Sequence, residues 1–351
     1  MAGAVVFAAA VMASSLVGVA SAGPVAPSAD LASIRAAARP AADGSRLTRV
    51  EHAKGSQFDM YVYSAAMGKD IHLRVIRPAD AGVPRPTLYL LNGSGGGEVA
   101  NTGWPEMSDV FDFFGDKQVN VVIPVGGKYS YYTDWQRDDP ILGRNKWATF
   151  LTEELPPVVD SALGTTGANA IAGLSMAGTS VLSLAQSAPG LYKGVASYSG
   201  CAETSAGVGQ KYVQVVVDAY GGGNTANMWG PVGGPDWVAN DPYLGAEKLR
   251  GVQLYVATGT GLPGEHDVLV NPSGESDPYA YRDPTLLAQQ IVIGGVIEAA
   301  TNECTRRLKD RLDSLGIPAT FDFRPTGTHS WGYWNDDLHD SWPMMADSLG
   351  V

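Results

Sequence analysis

The chain has 351 residues, 45% of them hydrophobic, with a formal net charge of −12 at pH 7 and a pI near 4.8. That length suffices for one large domain or two modest ones, and the apolar content suits a real core. The acidic balance repels phosphate backbones and argues against a nucleic-acid partner.

The first charged side chain is Asp30. Before it an apolar run from about Val5 to Ala20 ends in Ala20-Ser21-Ala22-Gly23, an h-region followed by a small-x-small cleavage pattern. Residues 1–22 therefore read as an export signal cut after Ala22. The alternative is a transmembrane anchor, but ~16 apolar residues interrupted by serines are short for a span. No later stretch is long enough, so no transmembrane anchor is expected. Residues 23–45 are rich in Ala, Pro and Ser and read as a linker. Residues 46–351 carry a globular pattern with no internal repeat.

Two strands are predicted first, Phe58–Ser64 and Ile71–Ile76, joined by a turn at 67–70. Six apolar runs then read as buried strands: Thr87–Leu91, Val119–Pro124, Ala168–Ala172, Gly194–Ser199, Gln253–Ala257 and Ala319–Phe323. Between them lie amphipathic segments, including Lys146–Leu163, Met176–Ser187 and Glu298–Leu315. Strands alternating with helices imply a mostly parallel sheet covered on both faces, an α/β fold. Its chemistry belongs at the carboxyl ends of the strands.

The first such end carries Asn92-Gly93-Ser94-Gly95-Gly96-Gly97-Glu98. A dinucleotide fingerprint fails, because the register from Gly93 gives Gly95 and then Glu98. A P-loop fails for want of a terminal Gly-Lys-Ser/Thr. The plain alternative is a tight turn.

Farther on, Gly173-Leu174-Ser175-Met176-Ala177-Gly178 follows an apolar run and opens a helical segment. That is the layout of a nucleophile elbow, with small residues at −2 and +2 where neighbouring backbones pass. The alternative is a serine in an ordinary turn. A serine nucleophile needs a general base. Five histidines are available. The order serine, acid, histidine of this layout excludes His52 and His72 and favours His329, on the loop after the last predicted strand. His266 in a polar loop and His339 in a terminal helix read as solvated surface residues. For the acid, position leaves Glu265, Asp267, Glu275, Asp277, Asp283, Glu298 and Glu303 open. Acyl transfer would place an oxyanion on the N–H of Met176 and on one from the 92–97 loop. No metal-ligand spacing such as H-E-x-x-H is present, and neither a metal nor a cofactor is expected. Cys201 and Cys304 read as a disulfide in an exported chain; two buried thiols are the alternative.

In order along the chain stand YLLNG (89–93), IPVGGKYSYYTDW (123–135), KWATFLTEELP (146–156), GLSMAG (173–178), MWGP (228–231), NDP (240–242) and GTHSWGYW (327–334). Over roughly residues 57–350 the chain thereby resembles the mycolyltransferases of the antigen 85 type. The resemblance implies an α/β-hydrolase fold and a Ser-Glu-His triad at Ser175, Glu298 and His329, with Glu265 as the fallback acid. It places the oxyanion donors on the backbone of Ser94 and Met176. The disulfide would then pin the Glu298 helix. The implied reaction moves a mycoloyl group from trehalose monomycolate to a second trehalose monomycolate or a cell-wall glycan such as arabinogalactan. It implies secretion to the envelope of a mycolic-acid-containing actinobacterium, with peripheral contact to mycomembrane lipids. The family's trehalose-binding Asp and Arg fall on Asn92 and Gly95, and Trp331 is a further sugar contact. An insertion at about 262–290 either shapes the cleft or lies on the surface. The alternatives are a secreted carboxylesterase of the same fold and a relative that only binds carbohydrate or matrix.

Overall fold

The structure, a computed structural model, describes residues 31–78, 80, 82–272 and 277–351. The expected export signal and Glu275 lie outside the described residues.

Nine strands form one sheet in the order β1-β2-β3-β5-β4-β6-β7-β8-β9. They are β1 (Arg46–Lys54), β2 (Gln57–Ser64), β3 (Lys69–Ile76), β4 (Thr87–Leu91), β5 (Asn120–Val125), β6 (Asn169–Leu174), β7 (Tyr192–Tyr198), β8 (Gln253–Thr258) and β9 (Thr320–Phe323). β1, β2 and β3 pair antiparallel, and β3 meets β5 antiparallel. From β5 to β9 every pairing is parallel. β2 alternates half-buried and buried residues along its whole length. β4 and β6 are buried throughout, as strands covered on both faces must be.

The period of two sorts β4 between two cores. Tyr89 and Leu91 join Val122, Ile171, Val195 and Leu254 in one; Leu88 and Leu90 join Val121, Ala170, Ala196 and Tyr255 in the other. The first core is closed by α1 (Leu31–Ala37), α2 (Leu155–Leu163) and α3 (Met176–Ser187). Three further helices matter to the site: α4 (Gly207–Gln214), α5 (Gly295–Ser314) and α6 (Trp331–Leu349). α6 covers the second core. No helix among the described residues is long and apolar enough to cross a membrane.

Two expectations change. Residues 31–45, placed by composition in a linker, are built onto the domain. Ile34 of α1 and Ser45 are buried, and the Arg39 N–H donates to Ser161 Oγ at 2.8 Å. Alanine is as favourable in a helix as it is common in linkers, so composition alone misreads this stretch. β1 was not expected either. Its Val50 is fully buried, and neighbouring Arg49 and Glu51 form an exposed ion pair. The expected helix 146–163 forms in three pieces, Trp147–Thr149, a widened turn Phe150–Glu154, and α2. Pro156 lacks the N–H that a regular α-helix would use there, and the widened turn falls on the residues just before it.

Candidate active site

The loops that follow β4, β6, β7 and β8 meet at the carboxyl edge of the sheet. Ser175 joins β6 to α3 with φ 55° and ψ −122°, a strained conformation for a residue with a Cβ. The bare flanks permit it. A Cβ on Gly173 would lie 2.8 Å from the Ala177 Cβ, and one on Gly178 would lie 2.8 Å from the Tyr198 carbonyl. The Ser175 N–H is held by the Tyr198 carbonyl at 2.8 Å.

The Ser175 Oγ lies 2.7 Å from His329 Nε2, and His329 Nδ1 lies 2.8 Å from Glu298 Oε2. His329 follows β9 on the loop before α6; Glu298 sits in the first turn of α5 and is fully buried. Its other oxygen accepts from the Gly259 N–H at 2.7 Å, the Ser199 hydroxyl at 2.8 Å and the Thr258 hydroxyl at 2.9 Å. Burial alone would push this carboxyl up. The hydrogen bond and charge of His329, with Gly259 and Ser199, outweigh it and hold the pKa below the usual carboxylate value. Arg324 Nη2 stands 3.9 Å from Glu298 Oε1, while its Nη1 pairs with buried Asp337. Ser199, itself at φ 51°, also accepts from Trp334 Nε1 at 3.1 Å.

The other expected acids go elsewhere. The Glu265 side chain is 75% exposed, beside His266 and away from His329. Asp267 accepts from Thr328 and Tyr333, Asp277 binds His266, Asp283 caps the helix Pro284–Gln289, and Glu303 is exposed.

The glycine loop lies against the serine: a Cβ on Gly93 would fall 2.6 Å from Leu174 Cδ1 and 3.6 Å from Ser175 Cβ. The Ser94 carbonyl accepts the Tyr129 N–H at 2.8 Å, and Ser94 lines the cleft beside Ser175. Met176 N–H opens α3.

Two expected substrate contacts have internal packing partners. Asn92 is buried. Its Nδ2 donates to the Pro124 carbonyl at 2.9 Å and its Oδ1 accepts the Trp104 N–H at 3.0 Å. The carboxamide braces two loops. Gly95 backs onto Thr102, whose Oγ1 would lie 2.3 Å from a Cβ. Its absence of side chain serves internal packing. Trp331 is half-buried at the start of α6, edge-on to Trp104 and Trp334.

His266, expected on the surface, is buried. Its Nδ1 meets Asp277 at 2.6 Å and its Nε2 meets Asp336 at 2.7 Å. Burial alone would lower its pKa; the two carboxylates overturn that and raise it to about 9. Among the described residues, Glu265, His266 and Asp336 are the group with metal-ligand spacing. The imidazolium itself supplies the cation those carboxylates need.

Two spaces open at His329. One is an apolar cleft of about 360 Å³ between α4 and α5, reaching Ser175 and Ser94. Its walls include two widened helical turns, Val215–Tyr220 and Gln290–Gly294, a feature common at functional sites. Val292 and Val296 are 64% and 65% exposed at its mouth. The other, a chamber of about 480 Å³, is lined by aromatic and polar residues. Cys201, just past β7, is bonded to Cys304 of α5 with Cα atoms 5.1 Å apart.

A mostly parallel sheet with a strained serine after β6 and a histidine after β9 is the α/β-hydrolase fold. The S-formylglutathione hydrolase of Agrobacterium tumefaciens shares it, with a TM-score of 0.59 at 14% identity over 86% of this chain and 99% of that one. The Esterase family matches residues 64–345. The chain is 31% identical to the diacylglycerol acyltransferase/mycolyltransferase Ag85A of Mycobacterium leprae, over 83% of each. MPT51 (FbpC1) of Mycobacterium tuberculosis is 26% identical and superposes with a TM-score of 0.63, over 82% of this chain and 96% of that one. The chain belongs to the antigen 85-type mycolyltransferase family.

Proposed function

We propose that the protein is a secreted acyltransferase that moves a mycoloyl group from trehalose monomycolate, through a Ser175 ester, to a second trehalose monomycolate or to arabinogalactan. The observation that carries this reading is the chain Ser175–His329–Glu298 at 2.7 and 2.8 Å, opening on an apolar cleft. His329, oriented by Glu298, takes the Ser175 proton as Oγ attacks the ester carbonyl. The N–H groups of Ser94 and Met176 receive the oxyanion, each such donor contributing about 3–4 kcal/mol. Trehalose leaves with the proton from His329, and an acceptor hydroxyl repeats the sequence in reverse. The aliphatic walls suit a long acyl chain. Export fits the disulfide, which persists in oxidising compartments.

Incubation of the pure protein with trehalose monomycolate tests the reading. Trehalose dimycolate is the expected product. Free mycolate alone would make the protein the secreted carboxylesterase that the Esterase match also accommodates. Ser175→Ala is expected to reduce turnover by on the order of 10⁶-fold, and retained turnover would overturn the nucleophile.

A further inference from the structure

The chamber beside His329 has chemistry of its own. Its lining and that of the apolar cleft share one residue, His329. A base that serves two half-reactions needs such a position, with acyl chain on one side and incoming hydroxyl on the other. The cleft walls are mainly aliphatic. The chamber presents Tyr279, Tyr281, Trp331, Gln290 and Ser330. Rings with nearby hydrogen-bonding groups suit a ligand with apolar C–H faces and a rim of hydroxyls, which is a carbohydrate ring.

Two polar groups there await partners. The Ser330 hydroxyl is buried without a hydrogen bond, a state that calls for an explanation. Gln290 commits its Nε2 to the His329 carbonyl at 2.9 Å and to Thr328 Oγ1 at 3.1 Å. Its Oε1 forms no hydrogen bond among the described residues.

The tyrosines lie on residues 277–281, in the stretch read from the sequence as an insertion, and these residues are held on several sides. His266 is clamped between Asp277 and Asp336, the latter on α6. Gly332 makes room, since a Cβ there would lie 2.3 Å from His266 Cγ. The Tyr279 N–H donates to Asp277 at 2.6 Å, and the Tyr281 N–H to the Val268 carbonyl at 2.8 Å. Asp267 ties the segment to Thr328, next to His329. Such a segment is a wall of the site.

We propose that Tyr279 and Tyr281, held by the His266 clamp beside Trp331, are the residues that set which carbohydrate receives the acyl group. The proposal rests on the acyl-transfer reading above. In the transfer step the acceptor O–H gives its proton to His329 Nε2, its oxygen forms the new ester bond, and the acyl–Oγ bond breaks as His329 Nε2 passes that proton to the leaving Ser175 Oγ.

The test uses the full chain with p-nitrophenyl butyrate as donor and trehalose or methyl α-arabinofuranoside as acceptor. The initial burst of p-nitrophenol reports acylation, and the ratio of acylated sugar to butyrate reports acceptor capture. Tyr279→Ala and Tyr281→Ala are expected to raise the half-saturating acceptor concentration about tenfold each, with a burst still visible. Tyr281→Phe, which keeps the ring, should restore most of the capture. Ala280→Trp, which fills the chamber, should block capture even if the alanine variants unfold. Wild-type acceptor dependence in folded Tyr279→Ala, Tyr281→Ala and Ala280→Trp would overturn the subsite. A wild-type protein with no burst would instead overturn the proposed function.

Discussion

His329 and His266 are built alike up to one atom. Each is largely buried, and each turns Nδ1 to a carboxylate, Glu298 at 2.8 Å and Asp277 at 2.6 Å. They differ at Nε2, which meets the Ser175 hydroxyl in one case and the Asp336 carboxylate in the other. A hydroxyl can give up a proton, which gives His329 the partner that the proposed reaction asks of its base. A second carboxylate can only hold one in place, so His266 is fixed as a cation. The chemistry of a histidine is thus set by its second partner more than by its burial.

The comparison can be broken first at His329. Glu298→Gln keeps the shape and removes the charge that would stabilise the imidazolium. We expect kcat/KM to fall about 10⁴-fold, near 5.5 kcal/mol of barrier, in a steady-state ester assay. A fall below tenfold would show that Glu298 only packs. The matching change, His266→Gln, leaves Asp277 and Asp336 without their cation. It is expected to cost about 3 kcal/mol of stability in denaturant titration, and an unchanged midpoint would refute the clamp.

Acidity sharpens the contrast further. The folded pKa of His266 is raised, so its contribution is fully present below about 6.5 and is lost as pH rises through about 9. Burial pushes buried Asp337 up to about 8 against the pull of Arg324. The folded state therefore holds an extra proton, and stability again declines as pH rises toward that value. Melting temperatures should fall between pH 6.5 and 9. His266→Gln should remove the part of the slope nearest 9, and Asp337→Asn the part below 8. Glu298 has the opposite sign: its lowered pKa gives stability that is lost only as pH falls through the folded value. The smallest effect belongs to Asn92→Ala. A brace between loops predicts about 1–2 kcal/mol of lost stability with an unaltered half-saturating acceptor concentration; a raised one would return Asn92 to the substrate site.

Much of this was legible in the residues. Buried strands announce themselves as continuous apolar runs, and β4, β5 and β8 fall within a residue of expectation. Ser175 was visible because a strained turn demands small neighbours at fixed spacing. Position alone could not choose Glu298, because what selects it is three-dimensional. Ser199, Thr258 and Gly259 arrive from the ends of two different strands to hold its second oxygen. Their signal was faint, a hydroxyl residue just after or at the end of each apolar run. His266 was misread because its partners lie 11 and 70 residues away, beyond any local pattern. The bracing role of Asn92 could not be read locally, because its partners Pro124 and Trp104 lie 32 and 12 residues away.

The Cys201–Cys304 bond bears on when the machine is finished. Cys201 lies two residues past Ser199, and Cys304 lies six past Glu298 on the same helix. One covalent link therefore straps together the carboxylate and a hydroxyl that steadies it. A chain still in a reducing compartment must hold that pair by packing alone. Oxidation would thus act as a last rivet that fixes the spacing on which the lowered pKa of Glu298 depends.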